Sequence, residues 1–134
     1  MVVLPFTSRI ESHNGVARIG LSGELDIATV PILEYHLTNL EGDGVGAIML
    51  DLRDITFLDC SALTVFLAAR NRAKANGHQL ILVGASARAR RLFQITSTEF
   101  LLDEQEAVAI LKQFTGSENR RAAQTNGQVV DANV

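Results

Sequence analysis

Apolar side chains along this chain change their spacing repeatedly, and the changes predict alternating strands and helices. Phe6 to Ser12 and Val16 to Leu21 are short, partly alternating segments on either side of His13-Asn14-Gly15. The Asn-Gly pair favours a tight hairpin, so the two segments predict an antiparallel first pair of strands. Gly23-Glu24-Leu25-Asp26 is polar punctuation, after which Val30, Leu33, Leu37 and Leu40 recur at helical spacing. Thr29 is a candidate cap for that helix, Pro31 is tolerated in its first turn, and Gly42 and Gly44 end it. Gly46 to Leu52 is apolar at successive positions, which predicts a central strand covered on both faces.

The stretch from Asp51 to Ala73 organises the rest. A short connection through Asp54 to Phe57 leads to Leu58-Asp59-Cys60-Ser61, where the spacing becomes helical. Ala62, Val65, Phe66, Ala69 and Ala73 share one face, with Leu63 and Leu67 on its flank. Thr64, Ala68, Asn71 and Ala75 form the opposite face, small and weakly polar where a solvated helix usually carries Lys and Glu. Asn76-Gly77 stops the helix, and Gln79 to Val83 predicts another strand. Ser86 opens a short helix with Ala89, Leu92 and Phe93 inward and Arg88, Arg90 and Arg91 outward. Phe100 to Leu102 reads as a short last strand. Asp103 and Glu106 resemble a capping box before a final helix striped with Ala107, Ile110, Leu111 and Phe114.

This order predicts an α/β fold: one domain over residues 6–115, with a mixed, mostly parallel sheet, an antiparallel N-terminal strand pair and flanking helices. Residues 1–5 form an N-terminal extension. Residues 116–134, rich in Asn, Gln, Ala and Arg with few large apolar side chains, are expected to stay disordered. In such sheets the loops at the carboxyl ends of strands form the usual site, and Asp26 and Asp59 both lie there.

Composition narrows the function. The 134 residues are 47% hydrophobic and 20% charged with a net charge of −3, so the molecule as a whole attracts neither nucleic acid nor acidic membranes. Arg70, Arg72, Lys74, Arg88, Arg90 and Arg91 make the middle locally basic, but no aromatic stacking set or nucleic-acid motif accompanies them. A single cysteine excludes an internal disulfide framework and a multi-cysteine metal site. The apolar opening is too short for a signal peptide and no run is long enough to cross a membrane, so the expected location is the cytoplasm.

Asp59-Cys60-Ser61 carries the candidate chemistry. Unpaired amides and the positive dipole end of the helix stabilise an anion there, including a phosphate on a side chain; equally, Asp59 or Ser61 can simply cap the helix. Cys60 is open to a thiol reading, but His13, His36 and His78 fall on a turn, a helix and a loop, with no signature pairing one as its base. Asp26 and Asp59 can be read as a carboxylate pair, yet no further clustered ligands support a metal, and neither metal nor cofactor is expected.

At these residues the chain resembles the STAS family, shared by sulfate transporters and bacterial anti-sigma factor antagonists. The likeness covers about Phe6 to Phe114. It rests on Gly23-Glu24-Leu25-Asp26, Leu50-Asp51-Leu52 through Phe57-Leu58-Asp59, the helix ending at Asn76-Gly77, and Arg90-Arg91-Leu92-Phe93-Gln94-Ile95-Thr96. The resemblance implies a stand-alone, non-enzymatic antagonist that binds an anti-sigma factor with serine kinase activity and so releases a sigma factor. The kinase, with its own ATP and Mg²⁺, would phosphorylate the helix entrance and end the binding, and a phosphatase would restore it. The implied contact residues are Asp26, Asp59, Cys60, Ser61, Ala62, Thr64, Ala68 and Ser97.

The chain departs from the family pattern Asp-Ser-Ser/Thr-Gly-Leu at the acceptor itself. Cys60 stands at the usual phosphoacceptor, Ser61 is the next hydroxyl and phosphorylation candidate, Ala62 replaces a glycine, and Ser97 occupies a second glycine position. Three readings of regulation follow: Ser61 takes over, the partner is bound constitutively, or Cys60 senses oxidation. A STAS scaffold module without a sigma-factor link is the competing function, and a thiol protein acting through Cys60 is a third.

Overall fold

The computed structural model describes residues 6–102, 108–112, 114 and 128–133. The elements in order are β1 (Thr7–His13), β2 (Val16–Leu25), α1 (Val30–Gly42), β3 (Ala47–Leu58), α2 (Cys60–Asn76), β4 (Gln79–Val83) and α3 (Ala87–Ile95). A 3₁₀ turn (Glu99–Leu102), a helical stretch at 108–112 and 114 that we call α4, and β5 (Gln128–Asn133) follow. The sheet order is β4-β3-β2-β1-β5. β1 runs antiparallel to β2 and β5, whereas β2, β3 and β4 are parallel. This is the mixed, mostly parallel α/β sheet that the hydrophobic pattern predicts, with its hairpin at Asn14-Gly15, both at positive φ.

Three expectations are corrected. The β3 strand continues to Leu58, so Asp54 to Phe57 belongs to the sheet. Two register shifts against β2, between Gly20 and Ser22 and between Gly23 and Glu24, add unmatched residues to β3 and destroy the alternation by which a strand is recognised. Phe100 to Leu102 forms a 3₁₀ turn that lies against β4 without pairing with it, Leu101 buried and Phe100 exposed, because the Leu101 N–H turns back to the Thr98 carbonyl at 3.0 Å instead of joining a ladder. In the stretch expected to be disordered, residues 128–133 instead pair along β1 from Ser12↔Gln128 to Thr7↔Asn133, which gives the outer edge of β1 a backbone partner. The capping pair Asp103 and Glu106, the stripe residue Ala107, and residues 1–5, 116–127 and 134 lie outside the described residues.

The sheet has two different faces. On one, Ala17, Ile19, Leu21, Ile48, Leu50, Leu52, Leu80 and Leu82 pack beneath α1, α2 and α3 in a single apolar cluster. The predicted inner face of α2 is buried there, and Phe66 stacks on Phe93 of α3 at 6.3 Å. On the other face, Val16, Ala47, Met49 and Ile81 meet Ile110 and Phe114 of α4, which is why the start of β3 is apolar at every position.

Beyond that cover, the second face becomes charged. Asp51 is only 4% exposed and accepts hydrogen bonds from Arg18 Nη2, from Arg53 Nε at 3.0 Å and Nη2 at 2.6 Å, and from the Arg53 backbone N–H at 3.1 Å. Burial by itself raises the Asp51 pKa and is the largest single influence on it. The Arg53 and Arg18 hydrogen bonds, with the Arg18 charge, together outweigh burial and hold the carboxyl below its usual value. The stability this contributes is therefore present above the unfolded carboxylate's pKa and is lost as pH falls through the lower, folded one. Asp51→Asn should cost about 2 kcal/mol in urea melts above about pH 5, and its deficit against the parent should shrink as the pH is lowered below about 4. A deficit constant with pH would remove the carboxylate charge from this account.

Candidate functional site

The last matched pair between the parallel strands β2 and β3 is Leu25 with Leu58. Asp26 and Asp59 are therefore the first residues past the carboxyl edge of adjacent strands, whose axes lie about 4.8 Å apart. Residues 33 apart in sequence reach the same place because one crossover, α1, returns the chain to the same end of the sheet.

Each aspartate organises the loop behind it. Asp26 Oδ1 accepts from the backbone N–H of Ala28 at 3.0 Å and of Thr29 at 3.2 Å. The Thr29 hydroxyl accepts from the Asp26 N–H at 2.9 Å and donates to the Glu24 carbonyl at 2.8 Å. Thr29 holds the predicted cap position of α1 but makes no side-chain bond to the helix; its hydroxyl serves the Asp26 loop. Asp59, in extended conformation at φ −125° and ψ −172°, is the cap of α2: its Oδ1 accepts from the Ser61 N–H at 2.9 Å and from the Ser61 hydroxyl. The Asp59 carbonyl takes the Ala62 N–H at 3.1 Å. A carboxylate at a helix amino terminus combines a hydrogen bond with favourable dipole electrostatics.

Cys60 is exposed at the very start of α2, whereas Ser61 is half-buried with its hydroxyl turned to Asp59. The structure thus brings together Asp26, Asp59, Cys60, Ser61 and Ala62 at one end of the sheet. Ala62 is fully buried beneath this entrance. Along α2, Thr64 is exposed and donates to the Cys60 carbonyl at 3.0 Å, and Ala68 is half-buried on the same outward side.

Ser97 reaches the site's flank by a separate route. Its N–H bonds to the Gln94 carbonyl at 3.1 Å and the Thr98 N–H bonds to the Phe93 carbonyl at 2.8 Å, the paired bonds of a Schellman ending to α3. The residue at the turn of that motif needs left-handed φ, and Ser97 has φ 58°. Phe93 meets Phe66, and Arg70 lies 4.8 Å over the Phe100 ring, so the Ser97 turn stands alongside the second and third turns of α2. Ile27, 78% exposed beside Asp26, and Phe57, 44% exposed near Asp59, add apolar surface that periodicity missed. The one available signal was that neither residue continues an apolar stripe. Among the described residues no three His, Cys, Asp or Glu side chains group as a metal site, and no helix is long and apolar enough to cross a membrane.

Residues 7–109 match the STAS domain, and the chain belongs to that family. It is 33% identical over 92 residues to a protein named anti-sigma-B factor antagonist in Staphylococcus aureus strain NCTC 8325, an alignment covering 69% of this chain and 85% of that one. Among solved structures it is similar to an anti-sigma factor antagonist from Mycobacterium paratuberculosis, with TM-score 0.63, 25% identity, and 76% and 88% of the two chains covered. The anti-sigma factor antagonist SpoIIAA in its unphosphorylated form shares the fold, with TM-score 0.67 and 22% identity over 79% of this chain and 96% of that one.

Two stability changes follow from the geometry. Asp59→Ala removes the α2 cap and should cost about 1 kcal/mol in chemical denaturation. Ser97→Gly relieves a left-handed residue of its Cβ and should raise stability by about 0.5–1 kcal/mol after the added unfolded-state entropy of glycine is offset. A destabilised Ser97→Gly would show that the serine side chain is held by its surroundings.

Proposed function

We propose that this protein is an anti-sigma factor antagonist: it binds an anti-sigma factor of the serine-kinase type and so frees a sigma factor. The docking surface is the α2 entrance, formed by Asp26, Asp59, Cys60, Ser61 and Ala62, and continues along Thr64 and Ala68 to Ser97. The observation that carries the reading is the pairing of Leu25 with Leu58, which sets two aspartates and an exposed helix start at one end of a STAS sheet. The kinship with proteins named as antagonists of anti-sigma factors supports the partner class. The protein acts by binding and needs no catalytic residue of its own.

Regulation by phosphate is altered or absent. A phosphoryl group adds about −1.5 to −2 charges and three acceptor oxygens, enough to break a close contact beside two carboxylates. The exposed position at the helix start is Cys60, which offers a serine kinase no hydroxyl. Ser61 offers one, but it is half-buried and already donates to Asp59, so transfer to it requires that bond to open. Binding is therefore constitutive, or is switched only slowly through Ser61, and a phosphatase matters only in the second case.

The test pairs the protein with its cognate kinase-type anti-sigma factor and ATP. The parent protein should remain bound with little or no phosphate by mass spectrometry. Cys60→Ser should gain phosphate at position 60 and lose at least about tenfold in affinity. Recovery of only other STAS proteins in a pull-down, or unaltered partner affinity on mutation of both Asp26 and Asp59, would sink the proposal.

A further inference from the structure

Strand β3 outruns its neighbour. Its last pair with β4 is Asp51 with Val83, while its pairing with β2 continues to Leu58. The β4 strand ends there because Gly84, at φ 74°, turns the chain hard against the Asp51 and Arg53 side chains; a Cβ on it would stand 2.3 Å from Arg53 Cγ and 2.9 Å from Asp51 Oδ1. Among the described residues, 53–58 thus have a strand on one side only. On the open side α3 stands off, leaving a groove of about 400 Å³ whose lining includes Phe57, Leu58, Leu92 and Ile95, with Arg88 and Arg91. Ile95 is 70% exposed, an unusual place for a large apolar side chain to remain in water. Among the described residues Arg88 and Arg91 form no ion pair, and the α3 sequence, ARARRLFQI, contains no acidic residue.

We propose that this groove docks an extended segment of a partner protein in which acidic and apolar side chains alternate. The free edge of β3 supplies backbone hydrogen bonds to an added strand, the floor takes alternate apolar side chains, and the arginines select the acidic ones. A second copy of this chain fits the surface poorly, because a two-fold contact would bring one basic α3 against another. The inference goes beyond the antagonist reading: the groove takes its segment whether or not the α2 entrance engages an anti-sigma factor.

The experiment is a titration of the isotope-labelled full-length protein, followed by NMR, with a synthetic peptide alternating Asp or Glu with Val or Leu. A control peptide carries Lys in place of the acids. The acidic peptide should shift the amides of residues 53–58 and 86–95 and slow their hydrogen exchange, while the lysine peptide should not. Arg88→Glu combined with Arg91→Glu, both at exposed positions, should weaken binding at least about tenfold without disturbing the rest of the spectrum. No response to the acidic peptide, equal response to both peptides, shifts centred elsewhere, or unweakened binding by the double variant would each overturn the proposal. So would groove signals that depend on protein concentration before any peptide is added, since these would identify a second copy as the occupant. None of these readouts involves an anti-sigma factor, so a failed antagonist reading leaves the result unchanged.

Discussion

The parallel pairing of β2 with β3 is the contact on which the rest of the molecule depends. It runs from Val16 opposite Ala47 to Leu25 opposite Leu58, and it is the longest ladder in the sheet. Its far end places Asp26 and Asp59 in register, and each carboxylate then spends its lone pairs on backbone amides of the loop that follows. The position of the candidate site is thus a property of strand register, while its shape is a property of two short hydrogen-bonded loops. Bulges along β3 make this possible, since they let the strand carry extra residues and still finish level with β2.

The same strand separates two energetic environments. Its core-facing side chains lie in a continuous apolar layer beneath the helices, where close packing contributes most of the stability. On the other face apolar contacts with α4 give way, within one pleat, to Asp51 held between Arg18 and Arg53. A buried carboxylate is tolerated there because several donors satisfy it, and the nearby glycine at position 84 leaves room for the Arg53 stem. Ending β4 at that crowded point also exposes the last part of β3. Local packing around one acidic residue therefore shapes a surface more than one side chain away from it.

At the α2 entrance, the capping residue and the exposed residue are different ones. Asp59 caps the helix through Ser61, and this requires nothing of position 60. The exposed cysteine there therefore leaves the cap intact. Ser97 shows the opposite balance, since a left-handed turn residue with a Cβ costs stability and keeps the Schellman geometry anyway.

The local pattern was enough for the chain order of elements from β1 to α3, the buried face of α2, the start of α3 at Ser86 and the stop of α2 at Gly77, because each depends on residues within a few positions of one another, while the α2 cap stayed open between Asp59 and Ser61 until the structure gave it to Asp59. The resemblance carried by Gly23 to Asp26 and by Leu50 to Asp59 was equally legible, as the family match over residues 7–109 bears out. Long-range pairing decided the remainder. Whether Asp54 to Phe57 was loop or strand depended on bulges against β2, whether residues 128–133 paired depended on the free edge of β1, and whether Phe100 to Leu102 became a strand depended on whether its amides met the edge of β4 or turned back on the preceding turn, as the Leu101 N–H does. A sequence records each strand's own preference, but the hydrogen-bonding partner that satisfies it comes from a distant part of the chain, and only the folded structure determines which partner is within reach.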